Sequence, residues 1–163
     1  MPELNNRFAD PKNDAAFKKL FVDHLDLTKS FLNATLRLEG DRRIKKVQKL
    51  PTEQLPMTTR AKKSGLDVLC TDESGAQYII EMQNRYMKSY FKRVQYYVSH
   101  AYAKQLKEGE KYKTLKPVTL LSISDHNLFS DSIDYLSFHH NAEETTRNRY
   151  LNDHTYARRE VAD

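Results

Sequence analysis

Cysteine is nearly absent from this sequence: Cys70 is the only one among 163 residues. A single cysteine excludes an internal disulfide framework and a metal cage of several cysteines, and it favours a reducing compartment. No apolar run approaches the roughly 20 residues that a membrane-crossing helix needs, and the polar start of the chain does not resemble a signal peptide. We therefore expect a soluble, cytoplasmic protein with no membrane partner.

The sequence also lacks internal repeats and low-complexity tracts, so we treat it as one folding unit. Hydrophobic residues make up 39% of it and charged residues 30%, which is enough apolar material for one core and too much for a disordered chain. Lys and Arg exceed Asp and Glu by a net charge of +5. This modest excess is compatible with a polyanionic partner without establishing one.

Hydrophobic spacing predicts the order helix, strand, strand, strand, helix, strand. This order predicts an α/β layer architecture in which a hairpin and a crossover helix build one sheet. The predicted segments are helical stretches opened by Asp10 and ended by Gly40, a strand at 44–50, a loop at 51–64, a hairpin at 65–83, a helix from Ser89 to about Lys107, a strand at 117–123, a weaker strand at 133–138, and a polar segment at 141–163 with a short helix and a frayed end.

The register of the hairpin follows from its turn. A three-residue loop at 73–75, with Gly75 in the left-handed conformation, pairs Asp72 with Ala76. Asp67 then lies directly opposite Glu81, with Cβ atoms about 4.5–5.5 Å apart. A register shifted by one residue would instead send the two acids to opposite faces.

Gln83 lies two residues beyond Glu81 and shares its face. Two adjacent carboxylates on otherwise apolar strands repel each other and lose hydration, so they need compensation. A divalent cation such as Mg²⁺ supplies it and could activate water against a phosphodiester. The simpler alternative is that Asp67 and Glu81 are solvated and pair with lysines such as Lys62 or Lys63.

Several separated motifs resemble the PD-(D/E)xK nuclease superfamily, and within it the recombination-promoting nuclease and transposase family of bacteria. The nuclease-like motifs are Leu-Asp67-Val, Glu81-Met-Gln83, and a following helix that carries Lys92-Arg93 and Tyr96-Tyr97. Residues 14–21 resemble the family's opening helix, and residues 105–118 resemble the stretch before its next strand. The likeness runs from about Phe8 to Phe129.

The resemblance implies a restriction-endonuclease-like α-β-β-β-α-β core at 8–129, with a mixed sheet flanked by helices. Residues 130–163 would form a weakly defined C-terminal segment of a truncated copy. The implied activity is Mg²⁺- or Mn²⁺-dependent cleavage of DNA by a hydrolase linked to recombination and mobile elements. DNA is the implied partner, and a homodimer is a further expectation.

Individual roles follow from the same resemblance. Asp67 and Glu81 match the metal-binding acids, and Gln83 stands where the superfamily usually has lysine. A neutral amide can orient water but cannot lend positive charge to a transition state. Arg93, one helical turn from Tyr97, is therefore expected to contact phosphate together with Lys62 or Lys63.

Asp14 and Lys18 form an i,i+4 pair on the first helix, for which a surface ion pair is the ordinary explanation. Some superfamily members use an acid from this helix, so both residues are auxiliary candidates, as is Tyr97. The leading hypothesis is a metal-dependent DNA endonuclease domain. The alternatives are a catalytically inactive transposase remnant that binds DNA, and a protein-interaction module whose acid pair is structural.

Overall fold

A computed structural model describes residues 10, 13–54, 64–129, 135–149 and 154–160. It shows a mixed α/β fold in which a six-stranded sheet lies between helices. None of the described helices is long and apolar enough to cross a membrane. The helices are α1 (Asp14–Asp23), α2 (Leu25–Thr35) and α3 (Tyr90–Ala103), and the strands are β1 (Val47–Lys49), β2 (Glu53–Gln54), β3 (Ser64–Gly65), β4 (Val68–Asp72), β5 (Gln77–Gln83), β6 (Val118–Ser124), β7 (Leu136–His140) and β8 (His154–Glu160).

The main sheet has the strand order β1-β4-β5-β6-β8-β7, and β2 and β3 form a separate short ladder. β1, β4 and β5 are antiparallel neighbours, whereas β5, β6 and β8 run parallel. Helix α3 connects β5 to β6, as a parallel pair requires a crossover connection. β7 closes the far side of the sheet antiparallel to β8.

Alternating side chains of the central strands pack against different helices. Phe17 of α1 and Leu32 of α2 cluster with Val68 and Ile80 on one face. Leu69, Ile79 and the apolar positions of α3 form the second cluster on the other face. β6 is buried along most of its length, as predicted for a strand covered on both faces. The predicted α/β class is therefore confirmed.

The predicted hairpin register is also the observed one. Val68 pairs with Ile80 and Thr71 with Gln77, and the amide of Asp72 donates to the carbonyl of Ala76 at 3.0 Å. Gly75 has a φ of +88°, in the left-handed region that glycine tolerates best. The turn thus sets which residues face one another along both strands.

Helix ends and the C-terminal segment depart from the sequence predictions. α1 begins at Asp14, capped by the side chain of Asn13 rather than by Asp10. α3 ends at Ala103, before the predicted Lys107. The expected short helix in segment 141–163 is wrong for residues 154–160, which form β8 because their backbone pairs with β6 along seven positions. Polar composition alone did not predict this long-range pairing.

Candidate active site

Two carboxylates meet where β4 begins and β5 ends. The amide of Asp67 donates to Oε1 of Glu81 at 3.0 Å, and the amide of Met82 donates to Oδ2 of Asp67 at 2.9 Å. Each acid therefore accepts a hydrogen bond from the strand that carries the other. These reciprocal bonds hold the two side chains at one end of the sheet.

Glu81 is buried, with 4% of its surface exposed. Burial, and secondarily the charge of Asp67, raise the pKa of its carboxyl to about 8, although the Asp67 amide, Arg93 and Lys18 act in the opposite direction. Lys18 lies on α1 and brings its Nζ within 3.2 Å of Oδ1 of Asp67. The pair is thus only partly neutralised by the surrounding cations.

The Gln83 side chain holds Arg93 of α3 in place. Its side chain donates to the carbonyl of Arg85 and accepts a hydrogen bond from Nη2 of Arg93 on α3. The Arg93 guanidinium lies 5.2 Å from the ring centroid of Tyr90 and 5.8 Å from that of Tyr97, distances typical of cation–π contacts. A permanent positive charge is therefore held beside the Gln83 amide.

Two residues next to Glu81 were not among the site residues predicted from the sequence. Ser122 of β6 pairs in register with Glu81, and its hydroxyl forms a hydrogen bond with that of Tyr90. Burial raises the pKa of Tyr90 to about 12, so its hydroxyl keeps its proton at neutral pH. Tyr90 precedes Arg93 by one helical turn, a spacing that could have revealed it. Ser122 has no comparable signal because its position depends on the β5–β6 register.

The structure brings Asp67, Glu81, Gln83 and Arg93 together and adds Lys18 from the first helix. Tyr97 contacts the site through Arg93, whose guanidinium lies over its ring. Three other predicted site residues lie outside the described part of the structure, namely Lys62, Lys63 and the side chain of Asp14.

The chemistry of the donor set fits a divalent metal ion. Carboxylate oxygens are the ligands that Mg²⁺ and Mn²⁺ prefer, and a cation between Asp67 and Glu81 would favour the charged form that burial now opposes. Within the described residues, no further Asp, Glu, His or Cys joins them to form a three-residue metal cluster. Water and substrate oxygens would complete the coordination, as is usual for Mg²⁺.

Comparison with known protein families gives a match over residues 11–157 to the PD-(D/E)XK nuclease family transposase. Because the match covers most of the chain, the protein belongs to this family, and the predicted resemblance is confirmed. The mixed α/β fold agrees with that membership. Searches of curated proteins and of solved structures gave no match.

Proposed function

We propose that this protein is a metal-dependent DNA endonuclease domain of transposase type that hydrolyses phosphodiester bonds. The observation that carries the proposal is the pairing of Asp67 with the buried Glu81 at the end of the central hairpin. Burying Glu81 beside a second, partly buried acid costs free energy, and a structural role alone does not require it. Family membership supports a nuclease-like transposase function.

Asp67 and Glu81 would hold Mg²⁺ or Mn²⁺. When bound, the ion would act as a Lewis acid and lower the pKa of attacking water. Gln83 has two roles in this proposal: it holds Arg93, and its remaining amide hydrogen-bonding capacity can orient water. Arg93 would contact the phosphate that is cut and stabilise the negative charge that develops on it.

Lys62 and Lys63 remain proposed phosphate contacts, and Lys18, Asp14 and Tyr97 remain auxiliary residues. We also propose that residues 8–129 carry the catalytic core, to whose sheet β7 and β8 add two strands. We also propose a homodimer, in which two copies of the site could cut both strands, and the single cysteine favours a cytoplasmic site of action.

Nicking of supercoiled plasmid tests the proposal. We expect the native chain to nick DNA with Mg²⁺ or Mn²⁺ but not with EDTA, and we expect Asp67→Ala to abolish the activity. Titration calorimetry should show metal uptake by the native chain and none by Asp67→Ala. DNA binding without metal uptake or nicking would instead identify an inactive remnant, and neither activity would point to a structural acid pair.

A further inference from the structure

An open pocket of about 410 Å³ lies beside Asp67, on the side that faces α1. Lys18 and Lys19 of α1 and Lys49 at the end of β1 line it. The volume lies within the range of about 300–1,000 Å³ that small-molecule sites occupy. We call this cavity the lysine pocket.

The charge of the lysine pocket favours an anion. Among the described residues, its lining has three lysines against one carboxylate, Asp67. That carboxylate already accepts the Met82 amide and lies 3.2 Å from Nζ of Lys18. Lys19 and Lys49 are both exposed and direct an excess of positive charge at the cavity.

The remaining lining suits a nucleotide rather than a bare ion. Val22 gives an apolar surface, against which a sugar can pack, and Thr52 adds a hydroxyl group to the lining. Asp67 belongs to the acid pair and also lines this pocket. A strand whose scissile phosphate lies at Asp67 and Glu81 would therefore pass directly into the lysine pocket.

We propose that the lysine pocket binds an internal phosphate of the substrate DNA strand, adjacent to the phosphate that is cut. The identity of the strand rests on the proposed nuclease function, whereas the preference for phosphate rests on the pocket itself. The pocket would fix the position of the strand relative to the acid pair, so its lysines act on substrate binding.

The test is the affinity of a fluorescently labelled DNA duplex, measured by anisotropy in EDTA so that no cleavage occurs. For Lys19→Gln/Lys49→Gln we expect Kd to rise at least tenfold. We also expect the slope of log Kd against log salt to fall by about 1, since the loss of one phosphate contact removes about 0.9. Wild-type affinity and slope in this variant would overturn the proposal.

The matched control is Lys111→Gln/Lys113→Gln, which makes the same change of charge. These lysines are exposed and lie before β6 starts, at the end of the sheet opposite to the acid pair. We expect this variant to bind DNA with unchanged Kd. Circular dichroism melting of both variants checks that each is folded, and an equal loss of affinity in both would contradict a localised pocket.

DNA strands with one uncharged backbone linkage identify which phosphate the lysine pocket binds. A methylphosphonate moved along the strand should weaken binding at one position next to the cut, and the double variant should be insensitive to it. A duplex with a 5′-phosphate should bind no better than its 5′-hydroxyl counterpart. If the native chain binds the 5′-phosphate duplex more tightly and the double variant does not, the pocket binds the phosphate at the strand end. That result would overturn the proposal that it binds an internal phosphate.

Failure of this inference is distinguishable from failure of the proposed nuclease. If the double variant nicks plasmid with a wild-type KM and binds DNA normally, the pocket assignment is wrong and the nuclease stands. If the native chain binds DNA but never nicks plasmid, and the double variant binds DNA more weakly than the native chain, the phosphate site stands and the catalytic proposal fails.

Discussion

At the scale of single residues, the most informative side chain is Glu81. Its pKa is raised to about 8, chiefly by burial, so without metal the folded protein holds a proton that the unfolded chain releases near pH 4.5. The stabilisation that this proton provides is present below about pH 4.5 and is lost as the pH rises through about 8. Metal binding should oppose the loss because it favours the carboxylate.

We therefore expect the metal-free protein to lose stability between pH 5 and pH 8, by at most roughly 4 kcal/mol, since one pKa unit corresponds to about 1.4 kcal/mol. Thermal melting in EDTA measures this. Glu81→Gln, which cannot titrate, should show a flatter profile, and Mg²⁺ at pH 8 should raise the Tm of the native chain only. Equal pH profiles for both proteins would contradict the buried-acid description.

Arg93 and Gln83 make a second prediction at the residue scale. Arg93→Ala should lower kcat for nicking by about 10²-fold, comparable with losing one transition-state hydrogen-bond donor. Arg93→Lys should restore little, because lysine lacks the planar group that bonds Gln83 and stacks on Tyr90 and Tyr97.

Gln83→Ala should lower kcat in the same direction, and the double variant should lose less than the sum, because both residues act through one contact. The control is Lys92→Gln, the exposed neighbour on α3, for which we expect no change in kcat. Independent, additive losses would show that Gln83 does not act by positioning Arg93.

At the scale of elements, the β4–β5 hairpin decides whether the acids meet. Its turn depends on Gly75 and on Asp72, whose Oδ1 accepts the amides of Ser74 at 2.8 Å and Ala76 at 3.1 Å. The hydroxyl of Tyr78 donates to Oδ2 of Asp72 at 2.8 Å and fastens the turn to the second strand. The turn therefore stabilises the one register in which Asp67 faces Glu81.

Gly75→Ala should destabilise the protein by about 1–2 kcal/mol, the usual cost of left-handed backbone for a residue with a Cβ. Gly75→Asn should cost less because Asn tolerates this conformation better. Urea unfolding measures both. Gly65→Ala is the control: an added Cβ there meets no atom of the described residues within 4 Å, and the backbone needs no positive φ. If both substitutions lower the free energy of unfolding equally, the left-handed conformation of Gly75 does not stabilise the register of the hairpin.

At the scale of the whole molecule, the sheet continues beyond the segment that carries the site residues. β8 pairs with β6 along seven positions and β7 closes the sheet outside it. Without them, the buried strand β6 would present an unpaired edge, which favours aggregation. The C-terminal strands therefore protect the strand that lies beside Glu81.

A chain that ends after Phe129 should melt at a lower temperature than the full chain and form aggregates. Light scattering and melting curves measure both effects. The control lacks only residues 161–163, which follow β8 in the sequence, and should behave as the full chain does. A truncated chain as stable as the control would show that residues up to Phe129 fold independently of β7 and β8.

The sequence by itself determined the hairpin, its register and the pairing of Asp67 with Glu81, because a three-residue turn with one glycine is a local feature. It also carried the family resemblance that the match over residues 11–157 confirms. The order of the central elements was predictable for a similar reason, since hydrophobic periodicity is read within short windows.

The sequence named Lys18 and Arg93 as candidates only through the family resemblance, and the tertiary structure decided that both lie beside the acids. Lys18 and Arg93 come from helices on opposite faces of the sheet, and no spacing in the sequence shows that both reach one strand end. The position of Ser122 and the formation of β8 depend on parallel pairing between segments far apart in the chain. Such pairing leaves no local pattern, because its hydrogen bonds are made by the backbone, which is the same at every residue except proline.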